Sequence, residues 1–463
     1  MNLHSKNMHS NFWAPALLAL SLGALAAGCG SDVKAVGTGV DAQATANDGA
    51  TADSGSTAAD GATSADGAAT DAGATADTKQ ACGAPTGQRP ARRSEQTGAW
   101  DAKGKRLVMF GGSFAVPANC SFVAATSEDE TWIYDAVCDS WVLSKSAAPA
   151  GRGRAGGVWK DGLGLVVFGG RSRVGTSGPY TLYNDTWAFD PDSDKWSKLA
   201  GDGAISKRFN ASMVLRDDTG DLLVFGGNTS GSALQYVPNN DVWRFDFKTS
   251  AWSMITTAGS VPAKRFFTGG LWDSKRKRLV VYGGADESLF ANTAKFKDDI
   301  WALDFAQDPP RWARLDINAT EKPDGRYWSS LVYDAVADRY VMFGGHDDKS
   351  QGNRNDLWAF DPTTKQWGVM VAGDTYNKPA ISFCNFPPDF TNVIEDVPER
   401  RNGGLVVGSK DGVWIAGGKT DCGVIDDLHF YGYNTGKWAE VTGATVGEAC
   451  LRKGGVNCND YCQ

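Results

Sequence analysis

The sequence predicts an all-β fold made of six copies of one four-stranded unit. A Gly-Gly pair recurs six times and always ends a short run rich in β-forming residues. An acid-x-Trp segment follows each of the first five pairs, and a further Trp comes nine or eleven positions later. A fixed period of this kind indicates a repeat architecture. The pairs are Gly111-Gly112, Gly169-Gly170, Gly226-Gly227, Gly283-Gly284, Gly344-Gly345 and Gly417-Gly418.

Each repeat has the pattern of four short strands separated by turns. A basic residue precedes each Gly pair at a nearly constant distance, and a run such as LVVF at 165–168 leads into the glycines. Glycine suits this place because it tolerates a positive φ and the close approach of a neighbouring strand. The basic residues are Arg93, Arg154, Arg208, Arg265, Arg326 and Arg401, and the acids are Glu130, Asp185, Asp241, Asp299, Asp356 and Asp427.

The tryptophans are expected to fill the space between twisted four-stranded units, where smaller side chains would leave voids. A feature that occurs in every repeat does not by itself mark one chemical site. In the sixth repeat His429 stands where Trp is due. The position therefore predicts a structural role for His429.

These motifs resemble the kelch repeat over roughly residues 88–442. The resemblance implies a six-bladed kelch-type β-propeller, similar to the central domain of galactose oxidase, with four antiparallel strands per blade. The run before Gly-Gly would be the second strand, and the acid-x-Trp segment would be the third. Because no fourth-strand segment precedes the first repeat, we expect each blade to come from one continuous repeat.

Residues 1–28 have the pattern of a cleaved secretory signal, since their apolar stretch is too short to span a bilayer. Small residues just before Cys29 resemble a bacterial lipobox, which implies lipidation of Cys29, and Gly30 after it points to the outer membrane. An ordinary secreted protein is the alternative. Residues 29–80 are rich in Ala, Asp, Gly and Thr and are predicted to be a disordered tether. The propeller is expected at 81–443, followed by a Cys-rich tail at 444–463.

Charge and cysteine content fit this division. The net charge is −8, and eight Asp against two Lys in residues 30–80 place most of it in the tether. No basic stripe interleaves with aromatic residues, so no nucleic-acid partner is expected. Eight cysteines besides Cys29 allow four disulfides, and zinc is the competing interpretation. From propeller topology we predict that Cys384 pairs with Cys422, and by the same reasoning Cys82 with Cys120.

Function is expected on one face of the propeller, where the loops after the Gly pairs and the long link from Trp367 to Arg401 lie. Phe383 and Phe386 in that link are candidates for an aromatic contact. The six repeat arginines precede the innermost strands and could therefore ring the channel entrance. In the eukaryotic kelch adaptors that this chain resembles, arginines at such positions can bind acidic peptide segments. Alternatively, each arginine pairs with the acid of its own repeat.

A catalytic role is not predicted. Copper-radical oxidases among kelch proteins need two His and two Tyr, whereas the chain after the signal keeps only His346 and His429. A mutarotase that acts on sialic acid would need only acid-base groups, for which His346 and Asp347 are the candidates. We therefore predict an exported, lipid-anchored propeller without a cofactor that binds a protein or a glycan. A structural role in envelope assembly is a further alternative.

Overall fold

The computed structural model describes residues 82, 87–114, 127–175, 178–232, 235–286, 296–347, 352–376, 391–420 and 423–445. Within them the chain forms six four-stranded antiparallel sheets that follow one another in chain order. The first strands of neighbouring sheets contact one another, and that of the sixth contacts that of the first. The predicted all-β, six-bladed propeller is therefore confirmed. No helix in the described ranges is long and apolar enough to cross a membrane.

Each blade comes from one continuous repeat, as predicted, and its strands run outward from the channel in chain order. Blades 1 to 3 consist of Thr97–Asp101, Arg106–Phe110, Thr131–Asp135 and Ser140–Leu143; Gly156–Lys160, Gly164–Phe168, Thr186–Asp190 and Lys195–Ala200; and Ser212–Leu215, Leu222–Phe225, Val242–Asp246 and Ala251–Met254. Blades 4 to 6 consist of Gly269–Asp273, Arg278–Tyr282, Ile300–Asp304 and Arg311–Arg314; Ser330–Asp334, Arg339–Phe343, Leu357–Asp361 and Gln366–Val371; and Leu405–Gly408, Gly412–Lys419, Val424–Gly432 and Lys437–Thr442.

Four short additions extend this frame. Ala258–Gly259 pairs in parallel with the outermost strand of blade 4. Three two-stranded ribbons lie in the loops and links of blades 2, 5 and 6. They pair Arg171–Ser172 with Thr181–Leu182, Arg326–Tyr327 with His346–Asp347, and Thr375–Tyr376 with Thr391–Asn392.

The outer-strand tryptophans pack between blades. Trp252 of blade 3 lies 4.6 Å, centroid to centroid, from Phe168 of blade 2, and its Nε1 donates to Thr186 Oγ1 of blade 2 at 3.1 Å. Trp196 repeats this arrangement against blade 1. The large ring removes apolar area from water, while its N–H keeps a partner.

Both members of all six Gly pairs have φ values between +55° and +122°. At Gly226 a Cβ would lie 2.8 Å from the carbonyl oxygen of Arg265. A side chain is therefore excluded there by close approach as well as by backbone conformation.

The ring closes between blades 6 and 1 by lateral contact rather than by exchange of a strand. Trp100 of blade 1 stacks on Trp414 of blade 6 with the ring centroids 5.2 Å apart. Gln96 Nε2 donates to the carbonyl of Ala416 at 2.8 Å, and the Arg93 N–H donates to the carbonyl of Ile425.

The propeller has two unlike faces. The turns between first and second and between third and fourth strands lie on one face. The loops between second and third strands and the links between blades lie on the other, which is called the loop-rich face below.

The predicted pairing of Cys82 with Cys120 is wrong. Cys82 forms a disulfide with Cys138, which lies in the turn after the third strand of blade 1. That turn lies on the face opposite the loop-rich face, so Cys82 is not on the loop-rich face as the prediction assumed, and Cys120 lies outside the described residues. Cys29, Cys384, Cys422, Phe383 and Phe386 lie outside the described residues, as do the signal, the tether and most of the tail.

Candidate binding site at the channel mouth

One buried arginine per blade holds the loop-rich end of that blade together. In blade 4, Arg265 is 0% exposed, and its guanidinium donates to the Asp299 carboxylate at 2.6 and 3.1 Å and to the carbonyl of Gly283 at 3.2 Å. Trp301 Nε1 donates to the same carboxylate at 2.7 Å. Burial alone would raise the pKa of Asp299, but Arg265 outweighs it and holds that pKa below its usual value.

This clamp of arginine, acid and glycine carbonyl recurs in all six blades, so these guanidinium groups lie inside the scaffold. The pairs are Arg93–Glu130, Arg152–Asp185, Arg208–Asp241, Arg265–Asp299, Arg326–Asp356 and Arg401–Asp427.

The clamp of blade 2 uses Arg152 rather than Arg154. Arg152 is buried and donates to Asp185 and to the carbonyl of Gly169. Arg154 follows two positions later and points elsewhere, so its place among the repeat arginines in the sequence alignment was wrong by two positions. Because Arg152 forms the clamp, Arg154 is available for another role.

His429 takes the place of the tryptophan in the clamp of blade 6. Its Nε2 lies 2.9 Å from Asp427 Oδ2, which is the contact that Trp Nε1 makes in the other five blades. Burial would raise the pKa of Asp427, but Arg401 and His429 hold it well below its usual range. The histidine thus serves the scaffold.

A ring of six residues surrounds the channel mouth on the loop-rich face. Each lies two positions after a clamp arginine and two positions before an innermost strand, and each has a left-handed φ between 55° and 68°. In five of the six steps the backbone N–H donates to the carbonyl of the ring residue of the preceding blade, at 2.8 to 3.1 Å. In blade order the ring is Glu95, Arg154, Asn210, Phe267, Trp328 and Gly403.

Arg154 extends across the mouth. Its Nη2 lies 2.5 Å from Glu95 Oε1 of blade 1, and its guanidinium carbon lies 5.1 Å from the ring centroid of Phe267 and 4.8 Å from that of Trp328. One cation therefore joins a carboxylate on one side of the channel to aromatic faces on the other. Stacking of this kind stabilises a partly desolvated guanidinium.

The loop of blade 2 adds two more arginines beside this pair. Arg171 Nη2 lies 3.8 Å from Glu95 Oε1, and the Tyr180 ring lies 3.7 Å from the guanidinium carbon of Arg171 and 4.5 Å from that of Arg173. No carboxylate in the described part of the chain lies within salt-bridge distance of Arg173. Burial and then repulsion by Arg154 lower the pKa of Arg171 to about 10. The group stays charged at neutral pH.

Aromatic side chains occupy the opposite side of the mouth. Phe267 lies 4.4 Å from Trp328 and 5.2 Å from Tyr327, centroid to centroid, and Tyr236 stacks on Phe266 at 4.8 Å. The mouth thus has one side formed by three arginines of blade 2 and Glu95 of blade 1, and an aromatic side from blades 3 to 5.

A cavity of about 100 Å³ lies in the channel at the level of the ring. Polar atoms from five blades line it without a hydrogen-bond partner among the described protein groups, which is uncommon for buried polar atoms. They are Gln96 Oε1, Arg154 Nε, Asn210 Nδ2, Thr268 Oγ1 and Ser329 Oγ. The cavity is small compared with the pockets that enclose drug-sized ligands, but it can receive one small polar group.

His346 and Asp347 lie at the edge of this region. The His346 ring packs 5.1 Å from that of Tyr327, and its Nδ1 lies 3.2 Å from Asn353 Oδ1. Asp347 is buried and accepts a hydrogen bond from Arg354. The structure places His346 near the aromatic side of the mouth and Asp347 inside the blade.

The sequence-based search missed Glu95, Asn210, Phe267 and Trp328. A signal was present, because all of them lie two positions after the clamp arginine. It becomes visible only when Arg152 replaces Arg154 in the alignment, since the distance from Arg152 to its Gly pair matches that of the other clamp arginines more closely.

Comparisons with known proteins agree with this architecture. The family model of the KLHDC2/KLHL20/DRC7 Kelch-repeats domain matches residues 61–268 and 212–384, which is more than half of the chain. The chain is similar to Kelch domain-containing protein 1 of Homo sapiens, with 25% identity over 224 residues that cover 47% of this chain and 52% of the relative.

It is also similar to Adagio-like protein 3 of Oryza sativa subsp. japonica, with 28% identity over 282 residues that cover 58% of this chain and 40% of the relative. The dynein alpha chain of the flagellar outer arm of Chlamydomonas reinhardtii is 29% identical over 194 residues, which cover 40% of this chain and 4% of the relative. The chain thus spans about half or less of the length of these relatives. The repeat clamps, the six blades and the family match together show that the chain belongs to the kelch-repeat β-propellers of the KLHDC2/KLHL20/DRC7 type.

Proposed function

We propose that this propeller is a non-catalytic binding module whose loop-rich face recognises an acidic segment of a partner protein at the channel mouth. Kelch propellers are typically protein-binding scaffolds. The observation that carries the proposal is the charge balance at the mouth, where Arg154 and Arg171 share the carboxylate of Glu95 and Arg173 lies next to Arg171 over the Tyr180 ring. Three guanidinium groups against one carboxylate favour an anionic ligand.

The surroundings support a carboxylate-bearing ligand. Burial and then repulsion by Arg154 lower the pKa of Arg171, and a ligand carboxylate beside it would favour the charged form. Arginine is suited to this because its planar fork binds both oxygens of a carboxylate. Phe267 and Trp328 would contact the apolar parts of the residues next to the acidic group.

Binding to a labelled octaglutamate peptide tests this proposal, with octaglutamine as the uncharged probe. With the full chain we expect binding of octaglutamate only, weakening as salt is raised because exposed charges are screened. Arg173→Ala should weaken binding about tenfold, which corresponds to the roughly 1.4 kcal/mol of a charge-assisted contact. The exposed Arg244 on the third strand of blade 3 provides a matched control, and Arg244→Ala should change nothing.

Equal loss in both arginine variants would show general charge attraction rather than a site and would contradict the proposal. An acidic glycan offers the same carboxylate chemistry from another source. Binding of polygalacturonate without binding of octaglutamate would assign the mouth to a glycan instead of a protein.

We further propose that the chain is exported and anchored to the bacterial outer membrane through a lipid on Cys29. The support is the sequence pattern before Cys29 together with the Asp-rich segment at 30–80 that would serve as a tether. Incorporation of labelled palmitate into the full chain, lost in Cys29→Ser, is the expected result. Labelling that persists in Cys29→Ser would refute the anchor.

We propose no catalytic role for His346 and Asp347, the candidates for a mutarotase that acts on sialic acid. Asp347 already accepts from Arg354, and His346 packs on an aromatic ring, so both side chains have scaffold contacts. Turnover of a sialic acid by the full chain that disappears in His346→Ala would overturn this.

A further inference from the structure

Glu95 is the only acidic member of the ring at the channel mouth, and it faces two arginines at once. Its Oε1 lies 2.5 Å from Arg154 Nη2 and 3.8 Å from Arg171 Nη2. Its side chain is 13% exposed, in the wall of the central cavity. A carboxylate of the protein itself therefore lies where the guanidinium groups would meet a carboxylate from a ligand.

The fold does not require an acid at this position. The equivalent residues of the other five blades are Arg, Asn, Phe, Trp and Gly. The contacts of Glu95 that recur around the ring are backbone contacts: its N–H donates to the Gly403 carbonyl, and its carbonyl accepts from the Arg154 N–H. The Glu95 side chain is thus dispensable for ring geometry, in contrast to the clamp acids.

Glu95 remains ionised in this setting. Burial by itself would raise the pKa of the carboxyl, but Arg154, Arg171 and Lys419 outweigh burial and hold the pKa below its usual value. At neutral pH a ligand anion therefore meets a negative charge as well as the arginines, and it has to share both Arg154 and Arg171 with that charge.

We propose, on the basis of the function proposed above, that Glu95 is a built-in competitor that sets the affinity threshold of the mouth for anionic ligands. Glu95 occupies one carboxylate position on the arginine pair and repels a weak monoanion. A ligand binds only when its acidic groups and its contacts to Arg173 and the aromatic side together give more binding energy than is lost by sharing Arg154 and Arg171 with Glu95. Removing the charge of Glu95 should strengthen anion binding, which is the opposite of the effect of removing a ligand contact.

Glu95→Gln tests the proposal in the full chain with labelled octaglutamate at low salt. We expect binding at least fivefold tighter than that of the wild type, because one negative charge within a few ångströms of the bound carboxylates is gone. Binding of octaglutamine should not change. The matched control is Asp202→Asn, which removes an exposed carboxylate from the link after blade 2 on the same face and should alter the affinity less than twofold.

Glu95→Asn is the second variant, since asparagine tolerates the left-handed backbone at this position. It should show the same gain and stay folded, with a melting temperature lowered by a few degrees at most because the Glu95–Arg154 ion pair is lost. Affinity equal to or below that of the wild type in the folded variants would overturn the competitor role. If the wild type fails to bind octaglutamate but Glu95→Gln binds it, the competitor role is supported and the proposed ligand class of the native protein is not.

Discussion

Replacing Arg265 with Met should destabilise the propeller without acting through a ligand. The substitution removes two bonds to the Asp299 carboxylate, at 2.6 and 3.1 Å, and bonds to the carbonyls of Gly283 and Ala263 at 3.2 and 2.9 Å. Asp299 would keep only the Trp301 N–H as a side-chain partner and would become a largely buried carboxylate without a counter-charge.

Breaking a buried pair in this way costs about 3–5 kcal/mol, and the 14% exposure of Asp299 favours the lower end of that range. At an unfolding entropy of about 2.1 cal/mol/K per residue, the 315 described residues give about 0.7 kcal/mol/K. A loss of about 3 kcal/mol then lowers the melting temperature by about 4 °C.

Scanning calorimetry of the full chain measures this shift. Arg244→Met, on an exposed strand position of blade 3, is the matched control and should shift the melting temperature by less than about 1 °C. A similarly small shift for Arg265→Met would refute the view that the clamp arginines stabilise the blades. Loss of octaglutamate binding at unchanged stability would instead show that Arg265 contacts the ligand.

Three further results are expected. His429→Trp should leave stability unchanged or raise it by up to about 1 kcal/mol, whereas Trp243→His should lower it by more than about 1 kcal/mol. The reason is that only Trp243→His loses buried aromatic area. Equal melting curves for the two variants would contradict this. Clamp acids such as Asp427 have lower pKa values in the folded state than in the unfolded state. Their contribution to the stability of the fold is therefore complete above about pH 4 and is lost as the pH falls through the folded pKa. A melting temperature that already drops between pH 8 and 5 would speak against this. Peptide mapping without reduction should recover Cys82 joined to Cys138, and a peptide joining Cys82 to Cys120 would disprove the pairing.

The blades could be predicted because their determinants are local and periodic. The buried second strands, the Gly pairs and the interblade tryptophans all repeat at a nearly fixed spacing, and each has a direct steric reason. The structural role of His429 followed from the same alignment, and its contact with Asp427 agrees with it.

The channel mouth could not be predicted in the same way. Glu95, Arg154 and Trp328 are distant in sequence and converge only when the ring closes, so no periodic pattern connects their side chains. The error at Arg154 had a physical origin, because Arg152 and Arg154 are both basic and only burial distinguishes the clamp residue from the ring residue. The error at Cys82 was similar, since the path of the chain before blade 1 is not part of the repeat.

In the ring of left-handed residues, the main chain maintains the fold while the side chains face the ligand, so the side chains can change without changing the fold. Because main-chain atoms make the ring bonds, each blade presents one interchangeable side chain to the channel, subject only to the exclusion of β-branched residues at positive φ. The side chains at these six positions thus determine which ligands the channel mouth can bind, and this chain carries Glu, Arg, Asn, Phe, Trp and Gly there. Relatives that keep the clamps could change ligands by changing these positions alone, and the residue two places after each clamp arginine is where such changes should be sought.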